Sequence, residues 1–222
     1  RCPDNDPASD DCGVFDLVVN GGGILTVAYQ KAGYLSAHRK VQAPWRDYVW
    51  APDVVLLEQG QPVDVDLTIG AQVVSAPDPV EDDFGTRQSF IYLPGPARSV
   101  SRAHPLDAVD LYSLKLVQTE YTVRSLGPQA MPALLPPSSA YTYAIEIADA
   151  DTPPERRVEF PEPGPPAALY VHLNDLAYFA TKSDKPPFAV GGKVPTGNYD
   201  WEESSWKAEH NGYVVEVAGT PG

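Results

Sequence analysis

Proline punctuation constrains this chain more than any other feature. Its 222 residues include 24 prolines, about twice the usual ~5%. Each proline fixes φ and removes a backbone donor, which rules out long helices. Between the prolines, and between Gly, Asp and Asn, stand short runs rich in β-branched and aromatic residues with almost no helical periodicity. These runs predict strands over residues 15–20, 24–31, 48–58, 64–69, 88–93, 112–123, 141–148, 168–173 and 213–217. The expected fold class is all-β, as two small sandwich-like or barrel-like domains. A composition shift at Gln59-Gly60-Gln61-Pro62 places the boundary, giving domains 1–60 and 61–222.

The stretch FDLVVNGGGILTVAYQ, residues 15–30, poses the first functional question, because three consecutive glycines can cradle a phosphate or turn a hairpin. A phosphate loop needs a following Lys-Ser/Thr and a helix whose N-terminus faces the anion. Here Ile24-Leu25-Thr26-Val27 follows, which has strand propensity. Asn-Gly is a strong signal for a two-residue turn, since both central positions need positive φ. Residues 20–23 therefore read as a hairpin turn between strands 15–20 and 24–31.

Charge excludes whole classes of partner. The chain carries a formal charge of −14 with a pI near 4.5, and no basic stripe interrupts it. Such a chain repels phosphate backbones and anionic bilayers alike, so no nucleic-acid partner is expected. No apolar run approaches the ~20 residues of a membrane span, so no membrane insertion is expected either. The sequence begins at Arg1 without a methionine or an apolar leader, which reads as an excised or processed piece of something longer.

Few motifs carry chemistry. Cys2 and Cys12 flank a polar loop and read as a local disulfide, the alternative being two reduced thiols. Within that loop Asp4, Asp6, Asp10 and Asp11 gather oxygen ligands suited to Ca²⁺. The glycine and glutamate of the helix–loop–helix calcium pattern are missing, and a solvated acidic turn is the competing reading. Asp149 and Asp151 repeat this more weakly. His38, His104, His172 and His210 fall in no zinc-ligand spacing, and no GxSxG elbow is present. A spatial Ser/His/Asp set is the one enzymatic reading left, and nothing in the spacing asks for it, so the chain reads as non-enzymatic without a cofactor. Trp45, Tyr48 and Trp50, and Tyr141 with Tyr143, make aromatic rows that suit core packing first and a sugar or peptide platform second.

Residues 13–59 resemble a known family. Gly13, Phe15, Asp16, Leu17, Asn20, Gly21 and Gly22, followed by Pro44 and Trp45, are similar to the transthyretin-related (carboxypeptidase-regulatory-like) segment of teneurins and of bacterial Rhs/YD-repeat proteins. The later blocks GTRQSFIYLP, VQTEYTV, the Met131–Tyr143 stretch and VPTGNYDWEESSWKAEHNGYVVEV resemble the fibronectin-plug-like region preceding the YD repeats. The family places strands before the G-x-F-D hairpin, where this chain has only the Cys2–Cys12 loop. The resemblance therefore implies a first domain lacking its initial strands, which either lie upstream and were removed or were replaced in this member, and a sheet edge left open near residues 13–30.

The resemblance also implies a role. In that family the YD repeats wind into a hollow β shell whose mouth the plug closes; bacterial members often hold a toxin inside, and teneurins act in cell adhesion. The implied function is a structural module of an extracellular, secreted or cell-surface (bacterial) protein, with the YD-repeat shell as partner. Met131, Leu134, Leu135, Tyr141 and Tyr143, with Trp45 and Trp50, are its expected packing residues. The alternative is an independent extracellular assembly or adhesion module that polymerises or binds partners, another copy or another chain, through the open edge.

Overall fold

The computed structural model describes residues 15–82, 85–121, 127–136, 143–153, 155–161, 164–173 and 189–216. Nearly every regular element is a strand, as the proline spacing demands. Strands β1 (Gly23–Tyr29) and β2 (Ala37–Ala43) form an antiparallel ribbon, with Leu25 facing Val41 and Val27 facing Arg39. Then follow β3 (Pro62–Asp66), a 3-10 turn over Leu67–Ile69, β4 (Gln72–Ser75), β5 (Val80–Asp82) and β6 (Gly85–Leu93). Strands β7 (Ala97–Ser101), β8 (Ala108–Leu111) and β9 (Ser113–Glu120) come next. A single helical turn, α1 (Gly127–Ala130), precedes β10 (Ile145–Asp149), β11 (Arg156–Glu159) and β12 (Ala168–Leu173). The last elements are β13 (Lys193–Val194), β14 (Gly197–Asp200), β15 (Ser205–Ala208) and β16 (Gly212–Tyr213).

All pairings are antiparallel, and among the described residues no sheet closes into a barrel. Three sheets build the body, in the orders β10-β9-β3, β12-β6-β4 and β11-β7-β8. Alternating residues from each face one another in a shared core of Val65, Leu67, Val74, Ile91, Leu93, Ala97, Leu114 and Leu116. This is the layered solution a half-apolar sheet requires. A second core of Leu35, Tyr121 and Met131, flanked by Leu57, Leu135, Ala144 and Trp206, joins the ribbon to the middle and the end of the chain.

Three expectations change. Residues 15–20 carry no strand, and β1 pairs with β2 across residues 30–36. The glycines serve a close approach: a Cβ on Gly21 would stand 2.1 Å from the carbonyl oxygen of Pro44. Gly22, at φ +101°, donates its N–H to Ala43 O at 2.8 Å. The chain does double back, since Phe15 meets Tyr29 edge to face at 5.7 Å, but without a ladder. Residues 48–58 likewise form a strap with one isolated bridge, Tyr34 to Glu58. Pro44 precedes it and Pro52 lies within it, Arg46 just before it sits at φ 56°, and its backbone bonds go elsewhere, Val55 N donating to Gln129 O and Leu57 O accepting from Leu35 N. Finally, β2 has no counterpart among the predicted strands, because Arg39 breaks the apolar alternation of AHRKVQA.

Candidate interaction surface

The inner face of β2 explains how the ribbon is held. Ala37, Arg39, Val41 and Ala43 alternate inward, as a strand with one buried face dictates. Arg39 is 0% exposed. Its Nη2 donates to Gln129 O at 2.6 Å, and Nη1 to Met131 O at 3.2 Å and His38 O at 2.7 Å. The guanidinium thus takes up carbonyls at the end of the α1 turn, where such groups lack intrahelical partners. Its Nε has no protein partner among the described residues, and burial pulls its pKa below the usual arginine value.

His38, the neighbouring residue, points to the β14–β15 hairpin. Its Nδ1 lies 3.1 Å from both Tyr199 Oη and Ser204 Oγ, and its ring meets Trp201 edge to face at 5.0 Å. Burial first, then Arg39 and Lys40, push its pKa down. Ser204 at φ 49° invites comparison with a strained nucleophile. Yet the turn itself accounts for that angle, since Asp200 Oδ1 accepts from Glu202 N and Glu203 N at 2.9 Å each. Among the described residues no carboxylate hydrogen-bonds the imidazole, so the set lacks the orienting group of a triad. Spacing alone reads His38 as a surface residue; the signal it misses is the place of His38 between Ala37 and Arg39 on a strand.

A buried polar cluster sits in the body. Arg87 and Glu120 form an ion pair at 2.8 Å with both side chains 5% exposed, and Ser89 Oγ donates to Gln118 Oε1 at 2.8 Å. Tyr143 hydrogen-bonds Glu120 and Ser89, and burial raises its pKa. Burial also raises the pKa of Glu146, which accepts a long 3.4 Å bond from Tyr121 Oη. Asp149 and Asp151 are spent locally: Asp149 accepts from Lys115 N and Thr152 Oγ1, and Asp151 pairs with Lys115. Among the described residues no group of three or more metal-ligating side chains assembles.

The exposed face is where the chain departs from an ordinary surface. Phe15, Leu17, Val18, Val19, Ile24 and Trp45 all stand more than half exposed, and Tyr48 and Trp50 reach 96% and 93%. The backbone contacts of Gly21 and Gly22 with residues 43–45 bring one end of each stretch together. Monomers seldom leave so many large apolar side chains uncovered in one region. β1 has no partner besides β2 among the described residues, and its inward side chains Leu25, Val27 and Tyr29 are only half-buried.

The expected packing residues scatter. Met131 is 1% exposed inside the second core, Leu135 packs against that core, and Leu134 projects outward while its carbonyl accepts from Trp206 Nε1 at 3.1 Å. Tyr143 lies in the polar cluster. Tyr141, Cys2, Cys12, Asp4, Asp6, Asp10 and Asp11 lie outside the described residues.

Fold and surface together define an all-β unit with an apolar, half-covered ribbon. Residues 7–56, less than a quarter of the chain, match the family described as the teneurin TTR-like domain. The matched type is a structural, non-catalytic module of extracellular character. Comparisons with curated proteins and with solved structures give no match. Among the described residues no helix is long and apolar enough to cross a membrane.

Proposed function

We propose that the chain is a non-enzymatic structural module of a larger teneurin-like or Rhs-like protein. In this reading a transthyretin-like unit of residues 1–60 and a plug-like unit of residues 61–222 seal a YD-repeat shell at the cell surface. The observation that carries it is the coincidence of the family match at 7–56 with the exposed apolar ribbon built from those same residues. A chain that folds around two cores yet leaves Leu17, Val18, Trp45, Tyr48 and Trp50 in water is shaped to be covered by a neighbour. Leu134, outward beside the second core, extends the same use to the plug-like part.

An immunoblot of producing cells with antibody to this chain tests the reading. A polypeptide far larger than 24.0 kDa is expected, and a band at 24.0 kDa refutes it. In that parent polypeptide, Leu134→Asp should weaken the protease-resistant association between this region and the shell. Leu134 is the position to change, because altering Leu135 also opens the second core.

A second reading, an assembly module acting through an open sheet edge, is favoured by one specific observation. β1 has no strand on its outer side among the described residues, and residues 17–30 contain no charged side chain.

A further inference from the structure

Edge strands are normally protected by lysines, prolines, bulges or shortness. β1 has none of these. It runs seven residues, GILTVAY, without a charge or a proline, and such a segment is built to pair. We propose that the edge of β1 that carries no strand among the described residues pairs antiparallel with β1 of a second copy of this chain, about a two-fold axis through Thr26. The inference rests on the second reading above and names its partner.

Four features of the sequence and the ribbon favour a second copy. The two-fold register sets Thr26 against Thr26, Leu25 against Val27, Ile24 against Ala28 and Tyr29 against Gly23. Threonine pairs, aliphatic pairs and an aromatic ring laid over a glycine are all favourable cross-strand neighbours. The inward faces continue from one chain to the next, so half-buried Leu25 and Val27 gain cover from their counterparts. The isolated two-stranded ribbon becomes a four-stranded sheet β2-β1-β1-β2, past the size at which a sheet is stable in water. Charge permits the contact. Residues 15–58 hold four acidic and four basic side chains, so the ribbon unit is neutral within a chain of net charge −14. Charges farther than about 8 Å from the contact are screened at physiological ionic strength.

Sedimentation of the full chain across a wide concentration range tests this. The mass should climb from 24.0 kDa toward twice that value, and more readily as salt screens the overall like charge. Thr26→Lys, at an exposed position, should abolish the dimer by setting two ammonium groups face to face. Gln42→Lys, exposed on β2 away from the edge, should leave it intact. A Thr26→Cys variant should yield, after mild oxidation and digestion, a peptide disulfide-linked to its own copy through position 26, since directly opposed Cα atoms stand within disulfide reach. A dimer insensitive to Thr26→Lys, or lacking that linked peptide, overturns the register. If the chain stays at 24.0 kDa while the β1 amides exchange freely, self-pairing is refuted and the open-edge reading stands. If it stays monomeric with those amides protected, the edge is occupied within the chain and both fall.

Discussion

Replacing Arg39 by alanine should cost about 3 kcal/mol and loosen the ribbon before the body. The guanidinium makes three bonds to carbonyls, at 2.6, 2.7 and 3.2 Å. Two of them reach Gln129 and Met131, some ninety residues along the chain. A bond from a charged donor contributes roughly 1.5–3 kcal/mol, so the two long-range bonds give about 3–6 kcal/mol. Against this stands the cost of burying a cation with no carboxylate to meet it among the described residues; burial lowers the pKa of Arg39 accordingly. The cavity left by so large a fully buried side chain acts in the opposite direction. A net loss near ~3 kcal/mol follows, a sizeable share of the roughly 5–15 kcal/mol that holds a typical domain. Arg39→Met keeps most of the volume and removes the buried charge, so it should lose less, about 1–2 kcal/mol. Urea unfolding followed by tryptophan fluorescence gives both values, and amide exchange on β1 and β2 locates the loosening. If Arg39→Ala lies within about 0.5 kcal/mol of the parent, or if β1 and β2 keep their protection, the guanidinium does not fasten the ribbon.

Other perturbations test the same physical account. Burial raises the pKa of Glu146, so the folded state holds that proton longer than the unfolded chain, and stability falls as pH rises from about 4.3. Glu146→Gln should therefore raise the urea midpoint at pH ~7 and leave it unchanged below pH ~4; an equal gain at both pH values would show that the carboxylate's charge is not the cause. His38 runs the other way: its pKa is lowered in the fold, so the unfolded chain takes up the proton first and stability falls as pH drops below about 6.5. His38→Gln should flatten that slope, and an unchanged slope would assign it to another group. Gly21→Ala should destabilise more than Gly22→Ala. The first drives a Cβ into the Pro44 carbonyl at 2.1 Å, whereas the second meets no atom within 4 Å and bears only the strain of φ +101°. Thermal melts giving the reverse order would remove the close approach as the reason for the first glycine.

The sequence by itself determined the class of fold and the absence of familiar catalytic motifs. Prolines and β-branched runs act locally, residue by residue, so strands such as β12 at Ala168–Leu173 and the lack of long helices could be read from neighbours alone. The same holds for the uncharged run through residues 17–30 and for the resemblance matched over 7–56. Tertiary structure decided which strands pair and which side chains are spent inside. GGG looks like a hairpin turn because Asn-Gly is a local signal; its actual constraint is the carbonyl of Pro44, which is distant in sequence. β2 escapes notice because arginine in a strand interior reads as outward-facing. Only Gln129 and Met131, brought to it by folding, make an inward arginine stable. Met131 looks free to fill a neighbour's opening because an apolar residue among prolines carries no mark of its destination, and packing against Leu35 and Tyr121 set it. Hydrogen-bond partners and burial depend on contacts between distant segments, and no local pattern encodes them.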